Sequence, residues 1–107
     1  MLEISRSSRA ELDLVEIAEY LGKRNPDAAI RVLDSIEATF HRLAEQPDLG
    51  THPTYLNRTE DGNVRMKPDL KFPIYLIFFE IIGDYAYIHR VIHARRDLPV
   101  VFEDPDL

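Results

Sequence analysis

Toward the end of the chain stands Arg90-Val-Ile-His93-Ala-Arg95-Arg96-Asp97, with a lone Arg65 earlier in the sequence. A histidine flanked by arginines carries the parts for metal-free cleavage of RNA. The imidazole moves a proton, the guanidinium groups stabilise charge on the phosphate, and the neighbouring 2′-hydroxyl is the nucleophile. Under that reading the catalytic set is Arg65, Arg90 and His93. A plainer reading of the same residues is a strand-end histidine held by Asp97, with the arginines in solvent.

Other chemistries find little support. His89 and His93 are four apart, which on a strand separates them by about 13 Å, too far to share one ion. His41 falls on a helix and His52 in a loop, so no metal site is expected. The absence of cysteine removes thiolate nucleophiles, thiolate zinc sites and disulfides. Gly22, Gly50, Gly62 and Gly83 are scattered, so there is no phosphate-cradling loop, and no serine sits in an elbow motif. No cofactor is implied.

The 107 residues suit one domain, with 45% hydrophobic and 30% charged residues. The formal net charge of −6 counts against a bulk nucleic-acid binder. The charge is uneven: the stretch 51–96 is locally positive, whereas 1–50 and the tail 97–107 are negative. No apolar run reaches the roughly 18 residues of a membrane span. Met1-Leu-Glu-Ile-Ser lacks a basic region followed by an apolar stretch, so a cytoplasmic protein with no membrane partner is expected.

The elements that must position the arginine–histidine cluster follow from periodicity and punctuation. Leu2-Glu-Ile alternates as a short strand. Ser8 and Glu11 fit a capping box, and Ala10, Leu14, Ile17, Ala18 and Leu21 then recur as one helical stripe that closes at Gly22-Lys-Arg24. Asn25-Pro26 supplies an N-cap and a first-turn proline. Ala29, Val32, Leu33, Ile36, Phe40, Leu43 and Ala44 carry the second stripe, which stops before Pro47. The short link makes the two helices an antiparallel hairpin. Residues 47–62 read as loop, and Val64–Met66 as a short strand. Phe72–Ile82 and Tyr85–His93 are strands around a Gly83-Asp84 turn.

Strands grouped after a helical hairpin indicate an α+β fold: an N-terminal strand and an antiparallel helical hairpin packed on a mainly antiparallel sheet of about four strands. Residues 1–98 form the single domain, and 99–107 an acidic tail with at most one turn.

Counting outward from Gly83-Asp84 pairs Ile81 with Ala86, Phe79 with Ile88, Ile77 with Arg90 and Tyr75 with Ile92. This more apolar set is expected to face the helices, leaving the alternate face open for a partner. Arg90 then points inward and needs a carboxylate, for which Asp13 on the first helix is the candidate. Two readings stay open: a structural ion pair, or a bulge that turns Arg90 toward a functional groove.

These residues together resemble a known family. Ala10-Glu-Leu-Asp13-Leu14-Val-Glu-Ile17-Ala-Glu-Tyr20-Leu and Asn25-Pro26-Asp-Ala-Ala29 are similar to the opening helical hairpin of the ParE/RelE toxin superfamily. Leu43-Ala-Glu-Gln-Pro47-Asp-Leu-Gly50 resembles its turn. Arg65, Pro73-Ile-Tyr-Leu-Ile-Phe-Phe79 and the Arg90–Asp97 segment resemble its sheet and closing motif. The resemblance runs from about residue 4 to residue 98 and is closer to the ParE-like branch.

It implies the toxin of a bacterial type II toxin–antitoxin pair. The expected partners are a ParD-like antitoxin, a ribbon-helix-helix protein with a disordered C-terminal arm, and DNA gyrase as the inhibited target. A ParE-like protein of this kind is a binding inhibitor, so no catalytic residue is expected. Arg65, Arg90, His93, Arg95 and Arg96 are the expected target-binding residues. Leu12, Val15 and Tyr20 lie outside the main stripe of the first helix and are the expected antitoxin contacts. An antitoxin helix would lie beside the hairpin, and an antitoxin strand would extend a free sheet edge. The alternative is a ribosome-dependent messenger endoribonuclease of the RelE type; a member that binds its antitoxin and nothing else is a third reading.

Overall fold

The computed structural model describes residues 1–53 and 63–95; the expected tail, with Arg96 and Asp97, lies outside the described residues. The chain runs β1 (Glu3–Arg6), α1 (Ser8–Gly22), α2 (Pro26–Glu45), β2 (Arg65–Pro68), β3 (Tyr75–Ile82) and β4 (Tyr85–His93). The four strands form one sheet in the order β1-β4-β3-β2. β1 runs parallel to β4, and the other pairs are antiparallel. Among the described residues no helix is long and apolar enough to cross a membrane.

Local signals account for most element boundaries. Asn25 caps α2, its Oδ1 accepting from Ala28 N–H at 3.1 Å, with Pro26 in the first turn. The α1 cap falls one residue earlier than expected. Ser7, not Ser8, accepts from Ala10 N–H at 2.9 Å, so Glu11 has no capping-box partner. The reason is tertiary: Ser7 N–H still bonds Ile88 O at 2.9 Å, so the chain leaves the sheet there.

α1 and α2 cover one face of the sheet. Ala10, Val32, Ile36, Phe40 and Leu43 pack with Ile77, Phe79, Ile88 and Val91, and Leu14, Ile17 and Leu21 close the margin. Each of these large side chains contributes on the order of 1.5–3 kcal/mol by leaving water.

The β3–β4 hairpin keeps the expected register from Ile82↔Tyr85 to Phe79↔Ile88. His89 is then an extra residue, and the pairing moves to Phe78↔Arg90, Ile77↔Val91, Leu76↔Ile92 and Tyr75↔His93. The shift corrects the expected Ile77–Arg90 and Tyr75–Ile92 pairs. It places Val91 in the core under the helices and Ile92 on the opposite face, where Ile92, Leu76 and Phe78 form a second buried cluster with Val64 and Met66 against it. The opposite face is therefore not open along its whole length; it is accessible toward Glu80, Ile82, Tyr87 and His89.

β3 starts at Tyr75 rather than Phe72. Asp69 is the cause. Its buried carboxylate accepts from the Thr39 hydroxyl (2.6 Å), the Ser35 hydroxyl and the backbone N–H groups of Lys71 (3.2 Å) and Phe72 (3.0 Å), which folds 69–74 into a turn anchored on α2. Two glycines carry positive φ. Gly83 (φ 57°) serves the hairpin turn. At Gly50 (φ 99°) an added Cβ would lie 3.0 Å from Met66 O and the Phe79 ring, so the loop after α2 passes hard against the sheet.

Candidate interaction site

The expected functional residues do not converge on one point. Arg90 is 2% exposed, and its Nε and Nη2 donate to Asp13 Oδ2 and Oδ1 at 2.7 and 3.0 Å. Asp13 is 3% exposed and also accepts from Val91 N–H at 3.0 Å. Both features anticipated for Arg90 occur together. The bulge is present, and the ion pair keeps the guanidinium inside, so Arg90 does not face a partner. Val91 N–H points to the flank of β4 that β1 leaves uncovered beyond Ile88, and the Asp13 carboxylate accepts it there while neutralising the arginine.

Arg65 is remote from this pair. It stands on β2, two strands from β4, roughly 10 Å by strand spacing. Its Nη1 donates to Pro47 O at 2.8 Å, tying the loop after α2 to the sheet edge. His93 is half-buried at the end of β4; its Nδ1 accepts from Arg95 N–H at 3.2 Å, and its ring meets Tyr75 edge-on at 5.5 Å. With Nδ1 accepting, the neutral ring carries its proton on Nε2. Arg95 is exposed, and Arg96 lies outside the described residues.

What the structure does bring together is a cleft of about 550 Å³ between α1 and the end of β4. Ile17, Tyr20 and Leu21 line it from the helix, and Val91, His93 and Arg95 from the strand and its exit, with Tyr75 among the residues between. Burial raises the Tyr75 hydroxyl pKa above the ordinary value, and the nearby Tyr20 adds to the shift. Leu12, Val15 and Tyr20 are 43%, 50% and 57% exposed. Tyr20 reaches the cleft and carries the Arg24 guanidinium 3.9 Å over its ring. Leu12 and Val15 lie further round α1, away from the core stripe.

Two groupings were missed by sequence reasoning. Asp69 has no helical or strand periodicity to mark it, and its partners Ser35 and Thr39 are thirty or more residues away. On the other side of the sheet, His89 Nε2 lies 3.0 Å from Glu80 Oε1 and its ring stands edge-on to Tyr87 at 4.8 Å. Counting along the hairpin set Glu80 opposite Tyr87 and put His89 on the same face, but did not pair the imidazole with the carboxylate.

A helical hairpin covers one face of a mixed four-stranded sheet, with a cleft between α1 and the end of β4. A solved structure described as "Chromosomal ParDE TA system from P. aeruginosa" has the same fold, with a TM-score of 0.71 at 17% identity, covering 89% of this chain and 98% of that one. No curated protein matches the chain. Residues 4–98 match the family described as the ParE toxin of the type II toxin-antitoxin system parDE. The chain belongs to that family.

Proposed function

We propose that this toxin acts by binding, inhibiting DNA gyrase, and that a cognate ParD-like antitoxin silences it. The observation that carries the reading is the commitment of Arg90 to Asp13 inside the protein. With Arg90 buried and Arg65 holding the Pro47 carbonyl two strands away, Arg65, Arg90 and His93 do not surround a common point where a phosphate would react. His93 and Arg95 remain at the rim for a target. Leu12, Val15 and Tyr20 offer apolar surface on α1 to an antitoxin helix.

The test is expression of the chain in bacteria, alone and with a cognate ParD-like antitoxin. Gyrase supercoiling and messenger cleavage on ribosomes are measured in parallel. Growth arrest with reduced supercoiling, relieved by the second protein, is the expected outcome. Codon-dependent cleavage with normal supercoiling would overturn it.

A further inference from the structure

The cleft between α1 and the end of β4 holds an unused donor. Tyr75 is 8% exposed, yet its hydroxyl makes no hydrogen bond among the described residues. No fully covered side-chain oxygen or nitrogen among those residues lacks a partner. The hydroxyl therefore opens onto the cleft that Tyr75 lines. Burial raises its pKa above the ordinary value, so at neutral pH it keeps its proton and can donate.

Two further donors adjoin it. The His93 ring meets Tyr75 edge-on at 5.5 Å, and its Nδ1 accepts from Arg95 N–H at 3.2 Å. The neutral imidazole then carries its proton on Nε2, as a donor. The Arg95 side chain has no ion-pair partner among the described residues. The acids that line the cleft are engaged elsewhere: Asp13 is held by Arg90, and Glu16 stands 4.0 Å from Arg9. Tyr75, His93 and Arg95 thus give one end of the cleft a hydroxyl donor, an imidazole N–H and an uncommitted positive charge.

The rest of the lining is apolar or aromatic. Ile17, Leu21 and Val91 form the wall, and Tyr20 adds a third ring to those of Tyr75 and His93. A volume of about 550 Å³ suits a small organic molecule rather than a bare ion. An apolar wall with a few polar groups at one end is the usual form of a small-ligand pocket. Rings in the lining favour an aryl body over an alkyl one, because edge-on aromatic pairs add to the gain from burial.

We propose that this cleft binds a small aryl carboxylate, its ring among Ile17, Tyr20 and Leu21 and its carboxylate on the Tyr75 hydroxyl and Arg95. The assignment stands on these side chains alone and holds whichever macromolecule the toxin acts on.

The probe is hydrocinnamate, titrated into the full isotope-labelled chain and followed by NMR, with phenethylamine and propanoate as controls. Saturable amide shifts are expected at Ile17–Leu21 and Val91–Arg95, with a dissociation constant of about 1 mM or below, the scale open to a ligand of this size. Phenethylamine should bind at least about tenfold more weakly, because its charge meets Arg95 and it cannot accept from the donors. Propanoate, which lacks the ring, should give no saturable shift at the same concentration. Tyr75→Phe keeps the ring and should weaken hydrocinnamate about threefold to tenfold, and Arg95→Gln about threefold or more. Unchanged amide positions away from the cleft check that both variants keep the fold. The proposal is overturned by the absence of saturable shifts at millimolar hydrocinnamate, by a control that binds as tightly as hydrocinnamate, or by either variant, correctly folded, that keeps the parent affinity.

Discussion

Asp13 and Arg90, seventy-seven residues apart in sequence, close a bidentate ion pair at the junction of α1 with the β4 bulge. The same carboxylate takes the Val91 N–H, so one side chain neutralises a buried cation and satisfies an edge donor of β4 beyond the end of β1. The pair ties α1 to β4 beside the cleft, which Asp13 also lines.

Breaking the pair on one side leaves an uncompensated buried charge. Asp13→Ala and Arg90→Ala should each destabilise the protein by about 3–5 kcal/mol in urea unfolding. Asp13→Leu combined with Arg90→Met should recover much of that loss, because neither charge then remains. A double variant as unstable as the sum of the singles would show that the pair acts through geometry alone.

Asp69 should behave as a second internal anchor. Asp69→Ala leaves the hydroxyls of Ser35 and Thr39 and the amides of Lys71 and Phe72 without their acceptor. The expected loss is about 3 kcal/mol, and Ser35→Ala should cost about 1 kcal/mol. Amide exchange at Lys71 and Phe72 should accelerate in Asp69→Ala before global unfolding.

Tyr75 gives the fold an alkaline limit. Its folded-state pKa is raised, first by burial and then by Tyr20. The folded protein therefore keeps a proton that the unfolded chain releases near pH 10. The stability this supplies is complete below about pH 10 and falls as pH rises toward the folded-state value. Tyr75→Phe should flatten the decline of melting temperature above about pH 10, while both proteins respond alike between about pH 6 and 8.

Leu12 and Tyr20 separate binding from folding. Both are exposed on α1, so alanine at either position should change stability by no more than about 0.5 kcal/mol. Affinity for the antitoxin, measured by calorimetry, should fall by about tenfold or more. A drop in melting temperature that matches the loss of affinity would assign these side chains to the core instead.

The elements were legible in the chain because their signals are local. Asn25-Pro26 starts α2, the stripe from Ala29 to Ala44 gives its buried face, and Gly83-Asp84 turns the hairpin. Counting outward from that turn set Arg90 opposite Ile77 and called for a carboxylate; Asp13 supplies it, although the bulge pairs Arg90 with Phe78 instead. Sequence patterning also gave the family resemblance, which the match over residues 4–98 bears out.

The register beyond Phe79, the bulge at His89 and the turn built on Asp69 were decided by tertiary structure. A period-two pattern cannot register an inserted residue when the displaced side chains, Val91 and Ile92, are equally apolar. Asp69 finds Ser35 and Thr39 only once α2 lies over the β2–β3 connection. The cleft between α1 and the end of β4 has the same origin. It exists because Ser7 leaves the sheet for α1 while β4 runs on to His93, a difference in strand length that only the assembled sheet expresses.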